Sequence, residues 1–119
     1  MEDSILITIR GLLVGNAEDT SFDTDLIFAI NAALSNLTQM GVGPEGGFRI
    51  TGEDEDWDDL LEDSILLEQV KEYVQLRTRI IFDPPTSSAV MEAYNKEIAE
   101  REWRINITVD DQTGKKSEE

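Results

Sequence analysis

The sequence predicts a mainly α protein: a small helical bundle of four main helices plus a short one, with a short extended C-terminal arm. Three observations carry this. Apolar residues recur at helical spacing in four separate stretches. Two Gly/Pro blocks, Gly41-Val42-Gly43-Pro44-Glu45-Gly46-Gly47 and Asp83-Pro84-Pro85, punctuate the chain between them. The length, 119 residues, suits one compact domain, and a chain of this size buries roughly two-thirds of its unfolded surface without needing a disulfide or a metal. The expected division is one helical domain over 1–109 and a polar, mobile tail over 110–119.

Taken in order, the first helix is expected over about Asp3–Leu13, with Ile5, Ile9 and Leu12 on one stripe flanked by Leu6 and Leu13, and Gly15-Asn16 ending it. The second is expected over about Thr24–Met40. Asp23 stands at its N-cap, and Phe22 and Ile27 occupy the two positions of a hydrophobic staple. Leu26, Ile30, Ala33, Leu34, Leu37 and Met40 line one face, and Gly41 suits the left-handed position just past the end. Phe48-Arg49-Ile50 reads as a short extended piece, and a helical turn is expected near Trp57.

The strongest helix spans about Ser64–Phe82. Leu66, Leu67, Val70, Tyr73, Val74, Ile80 and Ile81 form a band wide enough for neighbours on two sides, and Pro84 stops the helix at Asp83. The last helix begins between Pro84 and Ser88 and runs to about Arg104, with Met91, Tyr94 and Ile98 inward. Glu92–Lys96, Glu97–Arg101 and Glu100–Arg104 are acid-before-base pairs at i,i+4 and mark its solvated face. Beyond it, Ile105, Ile107 and Val109 alternate with Asn106 and Thr108, which is the periodicity of a strand.

Charge excludes several function classes. With 26 acidic against 10 basic residues the net charge is −16, which argues against direct binding to nucleic acid or to an anionic membrane. The absence of cysteine and histidine excludes thiolate chemistry, imidazole bases and ordinary zinc sites. No apolar run approaches the ~18–20 residues of a membrane span, and the acidic N-terminus lacks the basic start of a signal peptide, so the chain is expected to stay in the compartment where it is made.

The acidic run Glu53, Asp54, Glu55, Asp56, Asp58 and Asp59 around Trp57, continued by Glu62 and Asp63, is the loudest feature. A calcium loop needs glycine at its sixth position and glutamate at its twelfth. Counted from Asp54 these are Asp59 and Ile65, so no metal site is expected. Acids before a helix favour its dipole, but fewer would suffice, and the excess points to a surface kept negative. Acid pairs are too common here to identify a glycosidase, and no nucleophile elbow, P-loop or dinucleotide fingerprint is present. Neither catalysis nor a cofactor is expected.

Two aromatics sit outside the predicted core faces: Phe28, almost opposite that of the second helix, and Trp103, well off the Met91 line of the last. Each either covers a neighbouring segment or anchors a subunit interface. Arg77 falls inside the apolar band, either with its stem buried and its head reaching water or as a paired interface residue. Ile105, Ile107 and Val109 either add as a strand to a neighbouring subunit or another partner, or form a hairpin with Phe48–Ile50.

The ordered blocks Phe22-Asp23-Thr24-Asp25-Leu26-Ile27, Ile30-Asn31 and Leu37-Thr38-Gln39-Met40-Gly41-Val42-Gly43-Pro44 resemble the head–tail connector proteins of long-tailed bacteriophages. Trp57, Val70-Lys71, Tyr73-Val74, Arg79-Ile80-Ile81-Phe82-Asp83-Pro84-Pro85 and Glu102-Trp103-Arg104-Ile105-Asn106 continue the pattern, over about residues 3–110. The departures are Met40 and Ile80-Ile81, where leucine is more usual, and the acidic insert before Trp57.

The resemblance implies a non-enzymatic virion adaptor at the head–tail interface, made in the bacterial host cytoplasm. It implies a ring of about a dozen copies under the portal protein, with the genomic DNA passing through without specific binding and a downstream stopper or tail-completion protein docking below. On that footing Glu53–Asp59 are expected at the channel, and Phe28, Arg77, Trp103, Ile105, Ile107 and Val109 at subunit or portal contacts. The rival from another class is an acidic DNA mimic that fills the basic cleft of a nuclease or regulator. A carboxylate-pair enzyme is a weaker third.

Overall fold

The computed structural model describes residues 4–118 apart from residue 63, and the side chains as far as 111. Asp3, Asp63 and the side chains of the polar tail from 112 onward therefore lie outside the described residues. The order is α1 (Ile5–Leu13), α2 (Asp23–Gln39), α3 (Trp57–Leu60), α4 (Ile65–Phe82) and α5 (Ser88–Glu118). The fold is mainly helical, as expected. α1 packs on α2, α2 on α4, and α4 on α5, so the central helix does have neighbours on two sides. The result is a slab of 49 × 36 × 21 Å.

Local chemistry sets each boundary. Ser4 caps α1, its hydroxyl accepting from the Ile7 N–H at 3.3 Å. Ser64 does the same for α4 through Leu67. At the end of α2 the Gly41 N–H donates to the Thr38 carbonyl and the Val42 N–H to the Leu37 carbonyl, the two bonds of a Schellman turn. Gly41 holds φ +87° there, a conformation costly for any residue with a Cβ, and Val42 is buried against the core. α4 ends at Asp83, before Pro84.

The predicted start of α2 needs correction. Asp23 is its first residue and Phe22 its N-cap, with no side-chain cap bond. The Asp23 carboxylate is instead held by Arg10. With the helix starting one residue early, Phe22 and Ile27 no longer occupy staple positions, and Phe22 meets the ring of Phe82 edge-on at 5.7 Å.

The extended arm is also corrected. α5 continues through 105–109 and on to Glu118 without a break. Alternation there coincides with a helical register that buries Ile105 completely. Thr108, placed on a strand by the alternation, donates to the Gln69 side chain of α4 at 3.1 Å. The hairpin with Phe48–Ile50 does not form.

That extended piece finds its partner on a helix instead. The Asn31 side chain of α2 accepts from the Ile50 N–H at 2.8 Å and donates to the Ile50 carbonyl at 2.9 Å, as a neighbouring strand would. This fixes Ile50 in the core. Asn31→Ala orphans both backbone groups and is expected to cost about 1–3 kcal/mol in urea unfolding, whereas a change at exposed Gln39 should be neutral.

α4 and α5 are pinned by Tyr73, whose buried hydroxyl donates to Glu102 Oε2 at 2.8 Å. Burial, reinforced by the Glu102 bond, pushes the phenol from its ordinary 10.0 to about 12. The folded state thus favours the neutral phenol, so this contribution is complete below pH 10 and fades as pH rises towards 12. Unfolding followed across that interval should show stability falling by roughly 2 kcal/mol more in wild type than in Tyr73→Phe.

Candidate interaction surfaces

The acidic segment that precedes α3 is built into the fold rather than hung from it. Ser4 and Asp56 form an isolated antiparallel bridge, and the Ile5 N–H donates to the Glu55 carbonyl at 3.1 Å. Arg10, buried in α1, donates to both oxygens of Asp23 at 3.0 and 2.7 Å, to Glu53 Oε2 at 2.8 Å and to the Ala17 carbonyl at 2.6 Å. The bond from Arg10 to Asp23 is the main reason its pKa lies above the ordinary arginine value. One cation therefore ties α1, the α1–α2 loop, α2 and the acidic segment together.

Four of the six acids named from sequence have local work. Glu53 is on Arg10. Glu55 accepts from the Thr51 hydroxyl at 2.7 Å and from the Gly52 N–H; burial pushes its carboxyl up, but these hydrogen bonds outweigh it and the net shift is downward. Asp59 accepts from the Asp56 N–H at 3.0 Å, closing the start of α3 with Asp56. Asp54 and Asp58 are exposed, with no hydrogen bond or ion pair among the described residues. Among the described residues no acidic group is arranged to hold a metal ion, and no helix is long and apolar enough to cross a membrane.

Trp57 is buried, with Lys71 Nζ 5.7 Å over its ring. Beside it a groove of about 530 Å³ is lined by Gly43, Leu60, Leu61, Leu66 and Val109, with Asp58 and Glu62. Gly43 belongs there because its backbone holds φ +86°, a conformation costly for a residue with a Cβ, and a Cβ would also press on the Leu60 Cδ1 methyl.

The six predicted interface residues do not gather at one place. Phe28 is 72% exposed and Trp103 63%, so neither covers a neighbouring segment. Arg77 is half-buried, with its Nε sealed from solvent and no ion pair among the described residues. Ile105 is corrected: it is a core residue and offers nothing to a partner. Val109 is half-buried and packs against that core. Ile107, at 40% exposure, is free to meet one.

Phe28 has company. Two adjoining hollows of about 420 and 310 Å³ are lined by Leu13, Val14, Phe22 and Asp83, and by Phe28 and Ile81, and share Asp25 and Phe82. They form one apolar surface where the ends of α1 and α4 meet the start of α2. Of the predicted α5 pairs, Glu97–Arg101 forms at 3.3 Å and Glu100–Arg104 at 2.6 Å. Glu92–Lys96 does not, and Lys96 is exposed without an ion pair among the described residues.

Arg10 and Asn31 were missed as site-building residues. Each is a polar side chain inside an apolar stripe, Arg10 between Leu6 and Leu13 and Asn31 between Ile27 and Leu34, and that interruption was the available signal.

None of the curated proteins and none of the solved structures matches the chain. A family model described as phage connector protein matches residues 5–112, nearly the whole described fold, and the chain belongs to the phage connector protein family.

Proposed function

We propose that copies of this chain close into a ring of about a dozen beneath the portal protein of a phage head. The ring extends the DNA channel and presents a docking surface to the next completion protein or the tail. The protein acts by assembly, not by catalysis, in the virion at the head–tail junction, after synthesis in the host cytoplasm. The observation that carries this is the family match over residues 5–112.

Electrostatics supports it. A wall passing a duplex must not bind phosphate, and cationic walls would hold it with salt-dependent affinity. Asp54 and Asp58, the two acids of the run without local partners, are the ones free to face such a channel. Glu53, Glu55, Asp56 and Asp59 shape the segment that presents them.

Electron microscopy of portal-bearing heads with and without this protein tests the proposal. Added ring density below the portal is expected, and heads that acquire none overturn it. Salt supplies a second readout. Copies at −16 repel one another, so ring formation should strengthen as salt is raised from about 0.05 to 0.5 M and the Debye length shrinks. A DNA mimic seated in a basic cleft would weaken over the same range.

A further inference from the structure

We infer that neighbouring copies join through two different apolar surfaces, the Phe22–Phe28–Ile81–Phe82 surface of one copy receiving the Trp103–Ile107 stripe of α5 from the next. The inference rests on the ring reading and deepens it by naming the joint.

Four observations lead there. First, both surfaces are exposed and apolar, with Phe28 and Trp103 the most exposed aromatic side chains among the described residues. Scattered exposed leucines need no explanation, but aromatic anchors set in apolar hollows are the residues that dominate interfaces.

Second, the surfaces lie on different helices of the subunit. α4 packs against both α2 and α5, and Phe28 points away from the core side of α2. On α5, Trp103 stands roughly 160° around the helix from buried Ile105, at 100° per residue. A closed ring of identical copies needs two unlike surfaces on each copy, one for each neighbour; a single self-complementary surface would stop at a dimer.

Third, each surface carries a free charge opposite to the other's, Asp25 on the one and Lys96 on the other, both exposed and without an ion pair among the described residues. Glu92 and Asp110 also lie on the α5 stripe. Asp25 and Asp83 line the hollows around Phe28 and Phe82. Lys96 lies about 20° from Trp103 on the helical wheel, and the Glu92 expected to neutralise it does not. Arg101 and Arg104 are already engaged by Glu72, Glu97 and Glu100. In a chain so negative overall, an unpaired lysine beside an exposed tryptophan suits a surface that must accept another acidic copy.

Fourth, the α5 stripe is continuous. Lys96, Ala99, Trp103 and Ile107 follow at spacings of three and four, and all are exposed. The small Ala99 leaves the indole standing proud, shaped to enter a hollow rather than to lie flat.

The chain has no cysteine, so cross-linking tests the joint directly. Thr24→Cys and Ala99→Cys place thiols one helical turn from Phe28 and Trp103 and leave both anchors in place. With a short bis-maleimide, rings of the double variant T24C/A99C should give a ladder of covalent oligomers. Mixed single variants should give dimers only, and each single variant alone should give none. Rings seen by microscopy that yield no 24–99 cross-link, or that link 24 to 24 or 99 to 99, overturn the joint and leave the ring reading standing. Absence of rings in wild type overturns the ring reading itself.

Charge exchange gives a second measurement, independent of cross-linking. Lys96→Glu should raise the protein concentration needed for ring formation roughly tenfold, and D25K/K96E should restore most of it. Lys96→Glu lies mid-helix on an exposed face and should melt like wild type by circular dichroism. D25K/K96E loses a first-turn acid of α2 and should melt a few degrees lower, so its rescue is read from assembly at a temperature where both are folded. A Lys96→Glu protein that assembles like wild type, or a double variant that shows no rescue, overturns the joint.

Discussion

Arg10→Ala is expected to lower stability by about 3 kcal/mol and the melting temperature by roughly 10 °C. The guanidinium is buried, yet four of its five donors find acceptors on Asp23, Glu53 and the Ala17 carbonyl. Removing it strands Asp23, leaves the Ala17 carbonyl without its donor and empties a large side-chain volume in α1. The loss falls at the lower end of the range for broken buried pairs because the Asp23 and Glu53 side chains are 24% and 48% exposed and regain water. Arg10→Lys should recover only part of it, since an ammonium cannot meet both Asp23 oxygens in a fork while reaching Glu53 and Ala17. Glu53→Gln, at the wetter end of the network, should cost less than about 1 kcal/mol. Thermal melts of the three variants decide the matter. An Arg10→Ala protein melting within about 2 °C of wild type would mean that the network contributes almost nothing.

At the other end of the chain, Ile105→Ala is expected to cost about 2–4 kcal/mol and Ile107→Ala no more than about 0.5 kcal/mol. The contrast is the signature of a helix. On a strand, residues 105, 107 and 109 share a face and would respond alike. On α5, Ile105 is in the core while Ile107 is 40% exposed. Because Ile105 sits inside the subunit's own core, truncation after Arg104 should fail first as a folding defect. Equal losses at 105 and 107 in chemical denaturation would contradict the helical register of α5.

These examples show which parts of the fold could be read from residues. The ends of α2 and α4 were legible because single residue types fix them: a left-handed glycine after Met40, and a proline that forbids helix at Asp83. The face of α2 was legible from spacing alone. The end of α5 was not. Ile105, Ile107 and Val109 are β-branched and alternate with polar residues, so local preference favoured a strand. Burial of Ile105 and the bond from Thr108 to Gln69 of α4 override it. The start of α2 failed for a related reason. Asp23 is a good cap by type, but its carboxylate is drawn to Arg10 thirteen residues earlier, a preference invisible within a local window.

Among the candidate surfaces, exposure at Phe28 and Trp103 was readable as an angle on a helical wheel. The joint hollow at Phe82 was not, because it brings together the ends of three helices. The acidic run was read as one feature, and the backbone divided it, since four of its six carboxylates find donors within or beside the segment itself.

The flatness of the subunit, 21 Å across its thinnest direction, bears on how its number of copies would be counted out. Such a piece resembles a stave, and staves settle the size of a hoop by the bevel at their edges. With about twelve of them each joint turns about 30°, and admitting one more alters that angle by only about 2°. In the proposed ring so small a difference would leave the tally shared between the bevel and the template on which the hoop is laid.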